Sequence, residues 1–203
     1  MSTSEAVRTF LETRRSVRDF QPGTIEPEVI QRILRTATYA PSAHNKQPWR
    51  FAVVTGAEAK QALGEAFCQA FQRDMINDGT PEADLQGRLA RTRSRIKQAP
   101  VVVIVCRDRE AVKSQPDEIR MDAEIRMSRQ SVAMAGLQCM LAAHLEGLGS
   151  TWICWPLFAP KAVSAALGLP ENWEPEGMIF LGQAGETPAA PSRADIQDIS
   201  IFR

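Results

Sequence analysis

Arg14, Arg15, Ser16 and Arg18 stand close together in a segment where Val17 and Phe20 favour strand geometry. An extended chain alternates its faces, so Arg14, Ser16 and Arg18 are expected on one side. They would bring two guanidinium groups and a hydroxyl together, the donor set that a phosphate dianion requires. Arg15 is expected to face the other way. Arg193, in a Pro-Ser-Arg run near the C terminus, is a candidate to complete this anion site. The alternative is a solvated cluster paired with Glu5, Glu12 and Asp19, the common fate of surface charge.

A second stretch, Ala-Pro-Ser-Ala-His-Asn-Lys-Gln-Pro-Trp-Arg-Phe at 40–51, has the composition of a binding loop. Pro41 and Pro48 restrict the backbone and push the residues before them out of the helical region, which predicts an extended, stiff segment. Ser42, Asn45 and Gln47 can both donate and accept hydrogen bonds. That suits a heterocycle edge with alternating C=O and N–H groups, and a flavin pyrimidine is one such edge. His44 has no carboxylate partner defined by the sequence, so it is read as a neighbour of the ligand at the pocket edge, without an obligatory proton transfer. Trp49 opens a strand and is expected in the core. Trp152 and Trp155 flank Ile153 and are expected to share one face of an extended segment, as pocket wall or as core.

The elements that must position these residues follow from periodicity and capping. Ser2 and Glu5 have capping-box spacing, and Val7, Phe10 and Leu11 recur at helical intervals, which predicts a helix over 4–13. Pro27 suits a first helical turn. Ile30, Ile33, Leu34 and Ala37 then give an apolar stripe to a helix ending near Tyr39, which delivers the loop. Strands are expected at 50–55 and 101–106, the latter apolar on both faces and therefore central. Helices are expected at 57–72 and 82–98, separated by a turn at Asn77, Gly79 and Pro81. A long helix is predicted over 117–146. Its 132–145 part is apolar nearly all round and must be buried on every side, in a core or a subunit interface. Strand, helix and strand follow at 150–154, 161–167 and 177–181, before a loose polar arm at 185–203. Helices and strands mixed without strict βαβ alternation predict an α+β sandwich in a single domain, 1–203.

Composition excludes several classes. The 203 residues carry 24 basic and 24 acidic side chains and no net charge, so no global field draws the chain onto nucleic acid or an anionic membrane. The basic run Arg88, Arg91, Arg93, Arg95 and Lys97 lacks interleaved aromatics and reads as a solvated helix face. Cys68, Cys106, Cys139 and Cys154 form no ligand-spaced cluster, which predicts reduced, buried thiols in a cytoplasmic protein and no metal. The first twenty residues carry charges throughout and lack the apolar core of a secretory signal, and no apolar run is long enough to span a bilayer. Gly147 and Gly149 begin a dinucleotide fingerprint that the following residues do not complete. No Walker A sequence or nucleophile elbow is present.

Taken together, Arg-Arg-Ser-Val-Arg-Asp-Phe at 14–20, the helix before 40–51, the loop itself, Glu-Gly-Leu-Gly-Ser at 146–150 and the Gly182 to Arg193 ending resemble the nitroreductase family over almost the whole chain. Within it, Gly-Leu-Gly-Ser-Thr-Trp at 147–152 through Leu-Gly-Leu-Pro-Glu-Asn-Trp-Glu-Pro-Glu-Gly at 167–177 is similar to the flavin domain fused to bacterial glutamate ligases of deazaflavin-coenzyme biosynthesis. The resemblance implies an α+β homodimer with a mixed central sheet and two FMN sites at the interface. Arg14, Arg15, Ser16, Arg18 and Arg193 would hold phosphate and ribityl chain from one subunit. Pro41, Ser42, Ala43, Asn45 and Gln47 would come from the other. Cys154, Trp155, Pro156 and Leu157 would lie beside the isoalloxazine, with His44 and Trp155 at the substrate pocket.

The implied activity is an FMN-dependent oxidoreductase. It would pass hydride from NAD(P)H through flavin N5 to a nitroaromatic, quinone or enone acceptor by a ping-pong mechanism, with no side chain as catalyst. The alternatives are a dedicated biosynthetic flavoenzyme, reducing a deazaflavin precursor or cleaving the flavin, and a non-enzymatic flavin-binding protein.

Overall fold

The computed structural model describes residues 2–203. Helix α1, Thr3–Thr13, starts with the expected capping box: the Ser2 hydroxyl accepts from the Glu5 amide and the Glu5 carboxylate accepts from the Ser2 amide. Helix α2, Pro27–Ala37, has proline in its first turn and buries Ile30, Ile33 and Ala37. Strand β1 is Trp49–Val54. Helices α3, Ala57–Asn77, and α4, Glu82–Gln98, form a hairpin. The first is a turn longer than periodicity predicts, because Phe71 and Met75 continue its packing against Leu85 and Leu89 of α4. Strand β2 is Val101–Asp108 and is buried at every position. Helix α5, Glu118–Leu145, is capped by the Asp117 carboxylate, which accepts from the Arg120 amide at 2.9 Å. Strand β3, Gly149–Ile153, helix α6, Pro160–Leu167, strand β4, Trp173–Gly182, and a short helix α7, Ile196–Ile199, complete the chain.

The four strands lie in the order β1-β2-β4-β3, and every pairing is antiparallel. The expected mixed sheet is therefore corrected: the parallel contribution is a single bridge between Ser16 and Ser150, where the segment after α1 lies along β3. Alternation along β2 divides the interior in two. Val101, Val103 and Val105 face α2 and α5, while Val102, Ile104 and Cys106 face α3, α4 and α6. A strand buried on both faces loses the polar alternation of a half-exposed one, which is why 101–106 reads as a continuous apolar run.

The expectation for the tryptophans also changes, and that for the long helix is met only in part within one chain. Trp152 and Trp155 lie on opposite sides of the sheet. Trp152 packs with α5, and Trp155 packs with Phe67, Phe71 and Phe180. Residues three apart fall on opposite faces of an extended chain, so a shared face does not follow from alternation, and the strand in any case ends at Ile153 before a 3-10 turn over Trp155–Phe158. Along 132–145, Val132, Ala135, Cys139, Ala142 and Ala143 are buried, whereas Met134, Leu137 and Leu145 are exposed within one chain. Burial on every side is therefore not met by this chain alone.

Candidate functional site

The segment between α1 and α2 is fixed by three contacts. The Val17 amide donates to the Ser150 carbonyl at 3.0 Å, and the Gln21 amide donates to the Gln183 carbonyl. Val17 also packs so closely on Gly149 that a Cβ there would sit 2.9 Å from its side chain. At the start of the segment, Phe10 stacks on His144 at a centroid distance of 4.8 Å, and Thr13 lies 3.2 Å from His144 Nε2. The arginines therefore sit on a rigid edge, at the C-terminal end of α5.

Their electrostatics set them apart from ordinary surface charge. Glu5, Glu12 and Asp19 form no ion pair with Arg14, Arg15 or Arg18 among the described residues, which discards the paired surface cluster. Glu5 is committed to its capping box. Arg15 turns back and donates to the carbonyls of Glu12 and Arg14, and Arg18 donates to the Ser16 carbonyl at 3.3 Å. Arg14 is half-buried. Burial, and then the positive charges of Arg15 and Arg193, hold its guanidinium below the usual arginine range. Arg193 is thereby placed in range of Arg14. The Nη1 atom of Arg14 is buried without a hydrogen-bond partner, and so is the hydroxyl of Ser150, across the bridge from Ser16. A buried donor left unmade costs about 1–3 kcal/mol, so such atoms call for an acceptor from outside the chain.

The loop at 40–51 is not the extended segment its prolines suggest. Residues Ala43–Asn45 form a 3-10 turn, and His44, Asn45 and Gln47 have φ of 54°, 50° and 47°, in the left-handed region. Contacts impose this shape. The Ala43 amide donates to the Ser131 hydroxyl of α5, the Gln47 amide donates to the Ser42 hydroxyl, and Arg50 donates to the Gln47 carbonyl. Arg50 is itself held by Asp108 at 2.5 Å. Left-handed residues other than glycine cost on the order of 1–3 kcal/mol each and concentrate at ligand sites. The carboxamides of Asn45 and Gln47 are exposed and 3.3 Å apart, a donor–acceptor pair directed outward.

His44 has a partner that the sequence did not disclose. Its Nε2 lies 3.3 Å from Oε1 of Glu124, a buried carboxylate on α5 that also accepts from Gln115 Nε2 at 2.8 Å. Glu124 belongs to a charged turn of α5, and nothing local in the sequence marks it. Ser150, likewise, is one hydroxyl in a strand.

Of the remaining predicted positions, Pro41 is exposed and Pro156 is buried. Cys154 and Leu157 are exposed, and Trp155 is half-buried against three phenylalanines. Arg14 and Arg15 are chain neighbours, and Arg193 is near enough for its charge to act on Arg14. The structure does not bring the loop to them. Ser131, which holds the loop, and His144, beside the arginines, are more than three turns of α5 apart, roughly 20 Å at 1.5 Å per residue. Among the described residues there is no group of acids, histidines and cysteines able to hold a metal, and no helix long and apolar enough to cross a membrane.

The family profile described as "Nitroreductase family" matches residues 11–183. A 5,6-dimethylbenzimidazole synthase of Rhodospirillum rubrum is 30% identical over 196 residues, spanning 94% of this chain and 87% of that protein. A protein of Methanothermobacter thermautotrophicus, named for NADH dehydrogenase/NAD(P)H nitroreductase activity, is 29% identical over 94% of this chain and 84% of its own length. Among solved structures, a nitroreductase of Desulfovibrio desulfuricans in complex with FMN superposes with a TM-score of 0.72 at 22% identity, covering 97% of this chain and 96% of that one.

Proposed function

The chain belongs to the nitroreductase family, and from that membership we propose that it is an FMN-dependent oxidoreductase using NAD(P)H to reduce a small conjugated acceptor such as a nitroaromatic, quinone or enone. The observation that carries this reading is the group of arginines without a carboxylate, with a buried Arg14 Nη1 and a buried Ser150 hydroxyl both lacking partners. A phosphate monoester supplies the acceptors these donors need, and its charge offsets the mutual repulsion of Arg14, Arg15 and Arg193. When bound, FMN supplies the hydride-carrying chemistry, taking two electrons from NAD(P)H and giving them to the acceptor, while the protein binds and orients.

On this reading Arg14, Arg15, Ser16, Arg18 and Arg193 hold the phosphate end. Asn45 and Gln47 meet the ring edge with their outward carboxamides, on a turn kept rigid by Ser42, Ala43 and Pro41. The segment Cys154, Trp155, Pro156 and Leu157 borders the ring, and His44, steadied by Glu124, stands at the acceptor side. Because the loop and the arginines of one chain are roughly 20 Å apart along α5, the site is proposed to form between two subunits, the exposed Met134 and Leu137 contributing to their contact.

The test is spectroscopic. The purified protein is expected to be yellow with non-covalent FMN, and Arg14→Ala with Arg193→Ala is expected to weaken FMN by about a hundredfold or more, since each charge-assisted hydrogen bond contributes about 1.5–3 kcal/mol. Full FMN occupancy in the double variant would remove the phosphate site.

The R. rubrum relative, a synthase by name, favours a second reading, a biosynthetic flavoenzyme, of which flavin cleavage is one form. Recovery of intact FMN after many NAD(P)H turnovers in air rejects that form; stoichiometric loss of FMN supports it.

A further inference from the structure

A cavity of about 320 Å³ opens between α3 and α4, and Trp155 is the one lining residue it shares with the proposed redox site. Its apolar lining includes Phe71, Leu89 and Trp155, with Phe71 and Trp155 edge to face at 5.9 Å. Its rim carries Arg88, Arg91 and Arg95, which share one face of α4 by their spacing of three and four residues. The sequence alone reads this basic run as a solvated helix face. The structure divides it: Arg93, on another face, is paired with Glu65 at 2.8 Å, whereas Arg88, Arg91 and Arg95 make no ion pair with any described residue. The one carboxylate lining the cavity, Asp74, lies 3.6 Å from Arg73. Like charges three and four apart weaken a helix by roughly 0.2–0.5 kcal/mol a pair, a repulsion that a bound anion would relieve.

We propose that this cavity binds a one- or two-ring aromatic carboxylate, with the ring against Phe71 and Trp155 and the carboxylate on the arginine rim. Two features select that class. Guanidinium groups bind carboxylate in a planar, bidentate manner, and aromatic edges favour a flat apolar body over a sugar or a flexible chain. The volume lies at the small end of the range for ligand sites, roughly 300–1,000 Å³, which suits one or two rings. The cavity adjoins the proposed redox site at Trp155, but the arginine rim belongs to it alone, and binding there can be measured without turnover.

The experiment is a calorimetric titration of the purified protein with 2-naphthoate and with neutral 2-naphthylmethanol. Naphthoate should bind saturably, and at least about tenfold more tightly than the alcohol, the difference one charge-assisted contact makes. The triple variant R88Q/R91Q/R95Q should lose at least that factor with an unchanged circular dichroism spectrum. Ligand-dependent tryptophan fluorescence should largely disappear in Trp155→Phe, which locates the ring. Equal affinity for the alcohol, undiminished binding by the triple variant, or a fluorescence change that persists without Trp155 would each overturn the assignment, as would no saturable binding at all. Should the triple variant lose its helical signal, sodium chloride titration of the wild type decides, since affinity for the carboxylate must fall with salt and affinity for the alcohol must not.

Discussion

Burial separates the four cysteines into two chemical kinds. Burial pushes the Cys106 and Cys139 thiols up to about 12, and Cys68, whose thiol donates to the Leu89 carbonyl, is raised as well. A raised thiol pKa leaves the group protonated at neutral pH, and the thiolate is the reactive form. Cys154 is exposed, unlike the other three. A chromogenic aromatic disulfide should therefore react with one thiol per flavin-free native chain and with four after denaturation. Rapid reaction of a second native thiol would contradict the packing around the sheet. The same contrast between local and distant causes explains His44. Its position in a polar loop is plain from the sequence, but its contact with Glu124 depends on where α5 passes.

At the scale of elements, the clearest constraint is the slot for Trp152. A Cβ on Gly136 of α5 would fall 2.3 Å from the indole ring, and one on Gly177 of β4 would fall 2.1 Å from it. The ring is wedged between helix and strand with no room for a methyl group. Gly136→Ala should cost about 1–3 kcal/mol through overpacking even though alanine favours helix. A fall of several degrees in Tm would show it, while an unchanged or raised Tm would mean that the helix can shift.

Elements whose signals are local were legible: the Ser2 and Glu5 capping box, Pro27 at the start of α2, and the apolar run of β2. The parts set by distant contacts were not. The left-handed φ values of His44, Asn45 and Gln47 follow from Ser131 and Arg50, and two prolines point the other way. The opposite faces of Trp152 and Trp155 follow from their odd separation, three residues, which a shared-face reading overlooks, while the stop of the strand at Ile153 has no local signal. The arginines and loop residues of the site were legible as residue types. Their separation was implied by the family resemblance alone, because no local signal shows that their contacts, Ser131 and His144, lie far apart on α5.

For the molecule as a whole, the proposed function has one candidate ring-binding loop among the described residues, so donor and acceptor are expected to use the same place in turn. Initial rates at several NAD(P)H and acceptor concentrations should give parallel double-reciprocal lines. Intersecting lines would require both substrates bound at once and would count against a shared face.

The roughly 20 Å between the loop anchor at Ser131 and the arginine edge beside His144 has a genetic consequence. If each site draws its arginines from one chain and its loop from the other, two broken proteins can repair each other. A chain with Arg14→Ala and Arg193→Ala keeps a sound loop, and a chain with Asn45→Ala and Gln47→Ala keeps sound arginines. Alone, each should form only defective sites. Co-expressed in equal amounts and pairing at random, they should give about half mixed pairs, each with one sound and one doubly damaged site, so that about a quarter of all sites regain FMN. Recovery near that fraction on co-expression, and none on mixing under conditions where subunits do not exchange, would identify the cofactor as held in common by two chains.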